Sequence, residues 1–170
     1  MRRGELLDAA EELLSEQGST ALTLSAVADR AGVSKGGLLY HFSTKEALIK
    51  AMVERLIEEF DALIAAQPDA TYTERYLGAT LAAIRQGGLR RWAVVTVASG
   101  SIDLLAPLRE AMARWHSEEL ASEPDPVASQ IVRLACEGLW DVASHNPDLN
   151  SDDDLRAIDG RLRALLKRPS

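Results

Sequence analysis

Two helical segments too short to stand alone, hinged at a glycine, constrain this chain more than anything else in it. The first opens at Thr23, whose hydroxyl can cap free backbone amides, and runs through Ala31. Gly32 is suited to the left-handed conformation that ends it. Ser34 then caps a second segment reaching about Phe42. Helices of two turns are unstable alone in water, so both must lean on a neighbour. The neighbour is a helix expected from about Glu5 to Gln17, stopped by Gly18. There Leu6, Leu7, Ala10, Leu13 and Leu14 form an apolar stripe, with Asp8, Glu11, Glu12 and Glu16 opposite. Val27, Ala28, Val33 and Leu38 are spaced to seal a small core between the three.

Such a pair, packed on a preceding helix, is the helix-turn-helix arrangement that reads DNA. The outer face of the second segment presents Ser34, Lys35, Gly37, Tyr40 and His41, with Lys45 opening the next helix. A lysine reaches guanine O6 and N7 or a phosphate. Tyrosine hydroxyls and imidazole N–H groups suit phosphate oxygens, which position a protein without specifying sequence. Free amides at a helix N-terminus add a further phosphate site. Taken alone, Tyr40-His41-Phe42 would also fit a half-buried aromatic patch; the cap, the glycine turn and the shortness of the helix favour the DNA-reading arrangement.

The remaining pattern is helical throughout. Ser43-Thr44-Lys45-Glu46 starts a long helix, capped by either hydroxyl, that extends to about Ala66 before Gln67-Pro68-Asp69. Segments over 72–86 and 89–99 are split by Gly87-Gly88; the β-branched run Val94-Val95-Thr96-Val97 reads as buried helix because no sheet is available to it. Another helix is expected after Gly100, bent or restarted at Pro107 and ending near Ser122, followed by a plain linker, Glu123-Pro124-Asp125-Pro126. Helices over 126–144 and 152–167 close the pattern, the last with Asp152, Asp153 and Asp154 at its start and Arg161, Arg163, Lys167 and Arg168 toward its end, matching the macrodipole. The expectation is an all-α chain of about nine helices. A three-helix DNA-binding domain would occupy 1–46, and a helical sensing and dimerisation domain 47–170.

Charge and composition permit this reading. The net charge is −7, yet residues 24–50 hold four bases against two acids, a net of +2, which leaves −9 on the other residues. A small basic face can still dock while the acidic remainder discourages loose binding. A single cysteine, Cys136, excludes an internal disulfide and fits a reducing compartment. No apolar run reaches the roughly 18 residues of a membrane span, and no secretory signal pattern opens the chain. The expectation is a cytoplasmic protein with no membrane partner. His41, His116 and His145 stand far apart, with no phosphate loop, metal-ligand spacing or nucleophile elbow. No catalytic residue, metal or cofactor is expected.

The stretch from Thr23 to Leu48, TLSAVADRAGVSKGGLLYHFSTKEAL, closely resembles the DNA-binding signature of the tetracycline-repressor (TetR) family: a threonine, an apolar-Ala pair, Ala-Gly-Val-Ser, a glycine, aromatic-His-Phe and Lys-Glu-x-Leu. The resemblance is sharp over about residues 5–50. Beyond that it is a helical pattern, with Glu137-Gly138-Leu139-Trp140 similar to the penultimate helix of many members. It implies that Lys35, Gly36 and Gly37 begin the base-reading helix, that Tyr40, His41 and Lys45 grip phosphates, and that Thr23 and Ser25 add contacts from the preceding helix. Leu39 departs from the aromatic residue often found there, which puts one phosphate or thymine contact in doubt.

Inverted half-sites on duplex DNA call for a two-fold dimer with reading helices about 34–36 Å apart. Stripes of Val127, Ile131, Leu134, Ala135, Gly138 and Val142, and of Leu155, Ile158, Leu162, Leu165 and Leu166, are candidates for that interface; the resemblance implies a four-helix pairing. It also implies a small-molecule pocket within 52–122. Phe60, Tyr76, Trp92, Met112, Trp115 and His116 are candidate lining residues, since such pockets are mostly apolar with a few polar anchors. The expected function is a homodimeric repressor released from a palindromic operator by an effector. The alternatives are control by a protein partner or by no ligand, and activation in place of repression.

Overall fold

A computed structural model describes residues 3–66, 70–87, 92, 103–117, 120–146 and 151–167. Among these the chain is all-helical, with eight α-helices. They are α1 (Arg3–Gln17), α2 (Leu24–Arg30), α3 (Lys35–His41), α4 (Lys45–Ala65), α5 (Tyr72–Arg85), α6 (Ala106–Ser117), α7 (Pro126–His145) and α8 (Asp152–Leu166), with a single 3-10 turn at Leu120–Ser122. The helix expected over 89–99 lies outside the described residues except for Trp92. No described helix is long and apolar enough to cross a membrane.

The chain forms two compact units. The first comprises the described residues up to Ile57, with Trp92 and 103–110. The stripe of α1 lies inward as its spacing predicts: Leu6, Leu7, Ala10, Leu13 and Leu14 are all buried, as are Leu48, Met52, Val53 and Leu56 of α4 in the same unit. The Thr23 hydroxyl accepts the Ala26 amide at 3.1 Å and so caps α2. The end of α2 closes by a double backbone bond: Gly32, at φ 69°, donates to Asp29, and Val33 donates to Ala28. That pair of bonds turns the chain sharply enough to launch α3 within three residues. Salt links fasten α1 to both neighbours. Arg30 of α2 donates to Glu16 at 2.6 Å, which holds the Glu16 carboxyl below its ordinary pKa. Arg55 of α4 reaches Asp8 at 2.5 Å and pairs with Glu11.

The second unit holds the described residues of 58–87 and 111–167. Its helix starts are strongly specified. Thr71 and Glu74 form a reciprocal capping box on α5, Ser151 and Asp154 another on α8, and Asp125 caps α7 just ahead of Pro126. The sequence expectation differs from the structure in two places. The helix expected to end near Ser122 starts at Ala106 and stops at Ser117. Pro107 sits in its first turn, where a missing N–H goes unnoticed, so of the two expected alternatives, a bend or a restart, the helix takes the start. And Glu123, expected in a plain linker, is buried. Its Oε1 accepts the Thr73 amide and hydroxyl, both at 2.8 Å, and the Arg133 guanidinium at 3.4 Å. Arg133, also buried, donates to the Thr73 hydroxyl and the His116 carbonyl, and lies 4.9 Å from the Tyr72 ring centre. A carboxylate at the start of α5 and a guanidinium at the end of α6 each meet the favourable end of a helix dipole.

Candidate nucleic-acid interface and aromatic cluster

The geometry of α3 follows from one anchor. Leu38 is fully buried, and Phe42 behind it is buried too, so the helix is held by its inner edge. Ser34, Lys35, Gly36 and Gly37 at its start are exposed, Tyr40 is 88% exposed, Leu39 is exposed and His41 half-buried. The Ser34 hydroxyl accepts the Gly37 amide at 3.1 Å, which fixes the first turn and leaves the hydroxyl proton for another acceptor. The Tyr40 and His41 rings meet edge to face at 5.3 Å. Of the two hydroxyls that could cap α4, Thr44 does so, accepting the Ala47 amide at 3.1 Å. This places Lys45 in the first turn of α4, half-buried. Thr23 and Ser25 are exposed at the start of α2.

Gly36 and Gly37 are informative because nothing among the described residues requires them. A Cβ on Gly36 would meet only the Ser34 hydroxyl at 4.0 Å, and one on Gly37 the same atom at 3.4 Å, both ordinary contacts. Each glycine costs about 1 kcal/mol of helix propensity relative to alanine. The described residues give no steric reason to keep two of them on an exposed helix start. A body approaching from outside gives one.

Within the second unit, four of the six candidate pocket residues come together. Phe60 of α4 is the hub: the rings of Trp115, Trp140 and Tyr76 pack edge-on to it at 4.7, 5.0 and 5.6 Å between centres. His116 lies 6.1 Å from Tyr76. Trp92 is buried but belongs to the first unit, and Met112 is exposed on α6. The polar atoms of the cluster are tied. The Tyr76 hydroxyl donates to Glu137 at 2.5 Å, and His116 Nε2 lies 3.0 Å from the same carboxylate oxygen. Burial, reinforced by Glu137, raises the Tyr76 pKa far above its ordinary value, so the phenol stays protonated. Trp115 donates to Asp61 at 2.7 Å, and Trp140 to Thr80 at 3.3 Å. Burial pushes the Cys136 thiol up to about 12, which leaves it unreactive. Sequence reasoning missed Glu137 and Trp140 as cluster members. Their signal was a shared face of α7, three residues apart beside buried Arg133 and Cys136.

An apolar face runs along α7, where Val127, Ile131 and Leu134 are 68%, 50% and 59% exposed, continued by exposed Gly138 and half-buried Val142. On α8, Leu165 is exposed and Ile158 half-buried, whereas Leu155 and Leu162 pack inside their own unit. Among the described residues no group of three or more His, Cys, Asp or Glu could hold a metal ion.

Comparison with known proteins gives these surfaces a family. A model of bacterial regulatory proteins of the tetR family matches residues 6–52, and one of the tetracyclin repressor-like C-terminal domain matches residues 70–167. The chain belongs to the TetR family. Proteins of that family are transcriptional regulators. Among curated relatives, the transcriptional repressor KstR2 of Rhodococcus jostii is 38% identical over 58 residues, 34% of this chain and 28% of that protein. The transcriptional activator FasR of Mycolicibacterium smegmatis is 46% identical over 57 residues, 34% of this chain and 26% of that protein. These matches therefore span little more than a quarter of either relative. In fold, this TetR-family chain resembles a member of the family from Streptomyces coelicolor A3, with a TM-score of 0.74 at 22% identity, covering 94% of this chain and 96% of that one. It also resembles the multidrug binding protein EbrR complexed with ethidium, with a TM-score of 0.67 at 22% identity over 94% and 96%.

Proposed function

We propose that this protein is a homodimeric, DNA-binding transcriptional repressor of the cytoplasm, released from a palindromic operator by a small-molecule effector. Residues 1–46 act as the reading head, and 47–170 sense the effector and pair the two copies. The observation that carries the reading is α3: a two-turn helix pinned by Leu38, with Lys35, Tyr40 and two sterically unneeded glycines facing outward. In the major groove, Lys35 reads a base edge while Gly36 and Gly37 let the backbone approach closely. Ser34, Tyr40, His41, Lys45, Thr23 and Ser25 hold phosphates. Leu39 offers an apolar contact in keeping with a thymine methyl.

Pairing is supported by the exposed row Val127, Ile131 and Leu134, continued by Gly138, Val142, Ile158 and Leu165. An uncovered apolar face of this kind is the usual mark of an association surface. The effector reading is supported by the aromatic cluster of Phe60, Tyr76, Trp115 and His116 in the sensing part. An effector that binds better to a conformer with misaligned heads lowers operator affinity by population shift.

The decisive experiment selects bound duplexes from a random pool and measures mass in solution. The expected result is an inverted repeat whose half-sites lie one helical turn apart, bound by a dimer that Ile131→Glu converts to a monomer with much weakened operator binding. Selection of no sequence, or a monomer bound at full affinity, would refute the reading.

A further inference from the structure

Two arginines of the first unit are committed to holding it together. Arg30 donates to Glu16 at 2.6 Å and to Glu12 at 3.4 Å, and Arg55 reaches Asp8 at 2.5 Å and pairs with Glu11. These contacts fasten α1 to α2 and to α4. Arg3 and Lys50 are held in another way. Both lean on one carboxylate, Glu54, at long range: Arg3 at 3.7 Å and Lys50, one turn earlier on α4, at 4.0 Å. The three side chains are 42–57% exposed, against 16% for Arg55. Exposed pairs of this kind contribute little to stability. One carboxylate between two cations also leaves a positive charge over. As a fastener the group adds little to what Arg55 already does.

Its position points to another role. The Arg3 guanidinium lies 5.4 Å from the centre of the Phe42 ring, and Phe42 ends α3, directly after Tyr40 and His41. The His41 and Phe42 ring centres are 6.5 Å apart. The shared pair of cations therefore borders the end of the helix whose Tyr40 and His41 are assigned above to phosphates. A guanidinium stacked on a ring still donates from its edge, and that edge fits a phosphate as well as a carboxylate. The Lys50 ammonium, on its flexible stem, meets either as a point charge. We propose that Glu54 is an internal stand-in for a DNA phosphate: when the head docks, Arg3 and Lys50 leave it for the duplex backbone beside α3. The exchange weakens binding to every duplex alike, since each must compete with Glu54 and no base is read. This rests on the DNA-reading role proposed for α3 and adds a second backbone grip with its own brake.

The test is fluorescence anisotropy of the full chain on the selected operator and on a scrambled duplex, between about 50 and 200 mM salt. Glu54→Gln should bind both duplexes about three- to tenfold tighter at the low end, with their ratio unchanged and the gain shrinking as salt rises. Arg3→Ala with Lys50→Ala should weaken both and flatten the logarithmic salt dependence by about 2. In that doubly substituted background Glu54→Gln should change affinity by less than about twofold, because the groups act as one unit. A gain that survives intact without the two cations would mean that the carboxylate merely repels DNA, and would overturn the inference. Unchanged affinity in Glu54→Gln, a gain confined to the operator, or an unchanged salt dependence without Arg3 and Lys50 would overturn it too. In all these cases the unmodified protein still binds its operator, and the reading head stands. Failure of the unmodified protein to bind any duplex removes the inference and the DNA-binding reading together.

Discussion

In the first unit, α3 buries Leu38 alone of its own residues and leaves Lys35 and Tyr40 exposed; in the second, Arg133, Glu123 and Thr73 are drawn inside and bonded to one another, and the Tyr76 hydroxyl is bonded to Glu137. The contrast is one of where polar groups find partners. On α3 the Lys35 ammonium and the Tyr40 hydroxyl are solvated and available to another molecule. In the second unit Arg133, Glu123 and Thr73 bond to each other, and what they supply is a fixed arrangement of α5, α6 and α7. An interface that must meet DNA needs the first condition. A cluster that must keep its rings in register needs the second.

The sharpest way to break this comparison is at Arg133. Among the described residues its guanidinium is the charged partner of Glu123, and the Glu123 Oε2 makes no hydrogen bond there. Arg133→Ala leaves a buried carboxylate uncompensated and should destabilise the protein by about 3–5 kcal/mol in denaturant titration. Removing both partners in Arg133→Met with Glu123→Leu should recover most of that loss, because the desolvated charge goes with them. A single variant as stable as the unmodified chain would mean that the buried network contributes no order to the unit.

Next in size are the outward groups. Lys35→Ala should lose about 1–3 kcal/mol of affinity for the selected operator and relax preference at one or two base pairs. Tyr40→Ala should instead weaken every duplex alike, since a phosphate contact carries no sequence information. Fluorescence anisotropy on operator and scrambled duplexes separates the two. Loss of specificity in the tyrosine variant and not in the lysine variant would invert the assignment. Neither change should move the melting temperature much, in contrast with Arg133→Ala, because both side chains are exposed.

The same contrast explains what could be read from the residues alone. The helix-turn-helix was legible because it is local: Thr23, Gly32 and Ser34 act within a few residues of themselves, and the caps form where the sequence puts them. The aromatic cluster was legible only by residue type. Type drew in Phe60, Tyr76, Trp115 and His116, which do meet, but equally Trp92, which lies in the other unit, and Met112, which is exposed. Glu123 was missed because a proline-flanked acid reads as solvated linker; its burial depends on Thr73, fifty residues back. The α8 stripe shows the same limit. Leu155 and Leu162 face inward and Leu165 outward, and a repeat of apolar residues does not say whether its partner is the same chain or another copy.

The smallest expected effect is the most telling about α3, because it sets stability and binding against each other. Gly36→Ala adds a methyl group where the chain offers only an ordinary contact. It should raise the stability of the folded protein by about 0.5–1 kcal/mol through helix propensity and a less flexible unfolded chain. If Gly36 is there for close approach to DNA, the same methyl group should weaken operator binding, since it stands between backbone and groove. The two measurements, denaturation and anisotropy, must therefore move in opposite directions. Should both improve, the glycine pair would have no role in docking, and recognition would fall to Lys35 and the shape of the duplex.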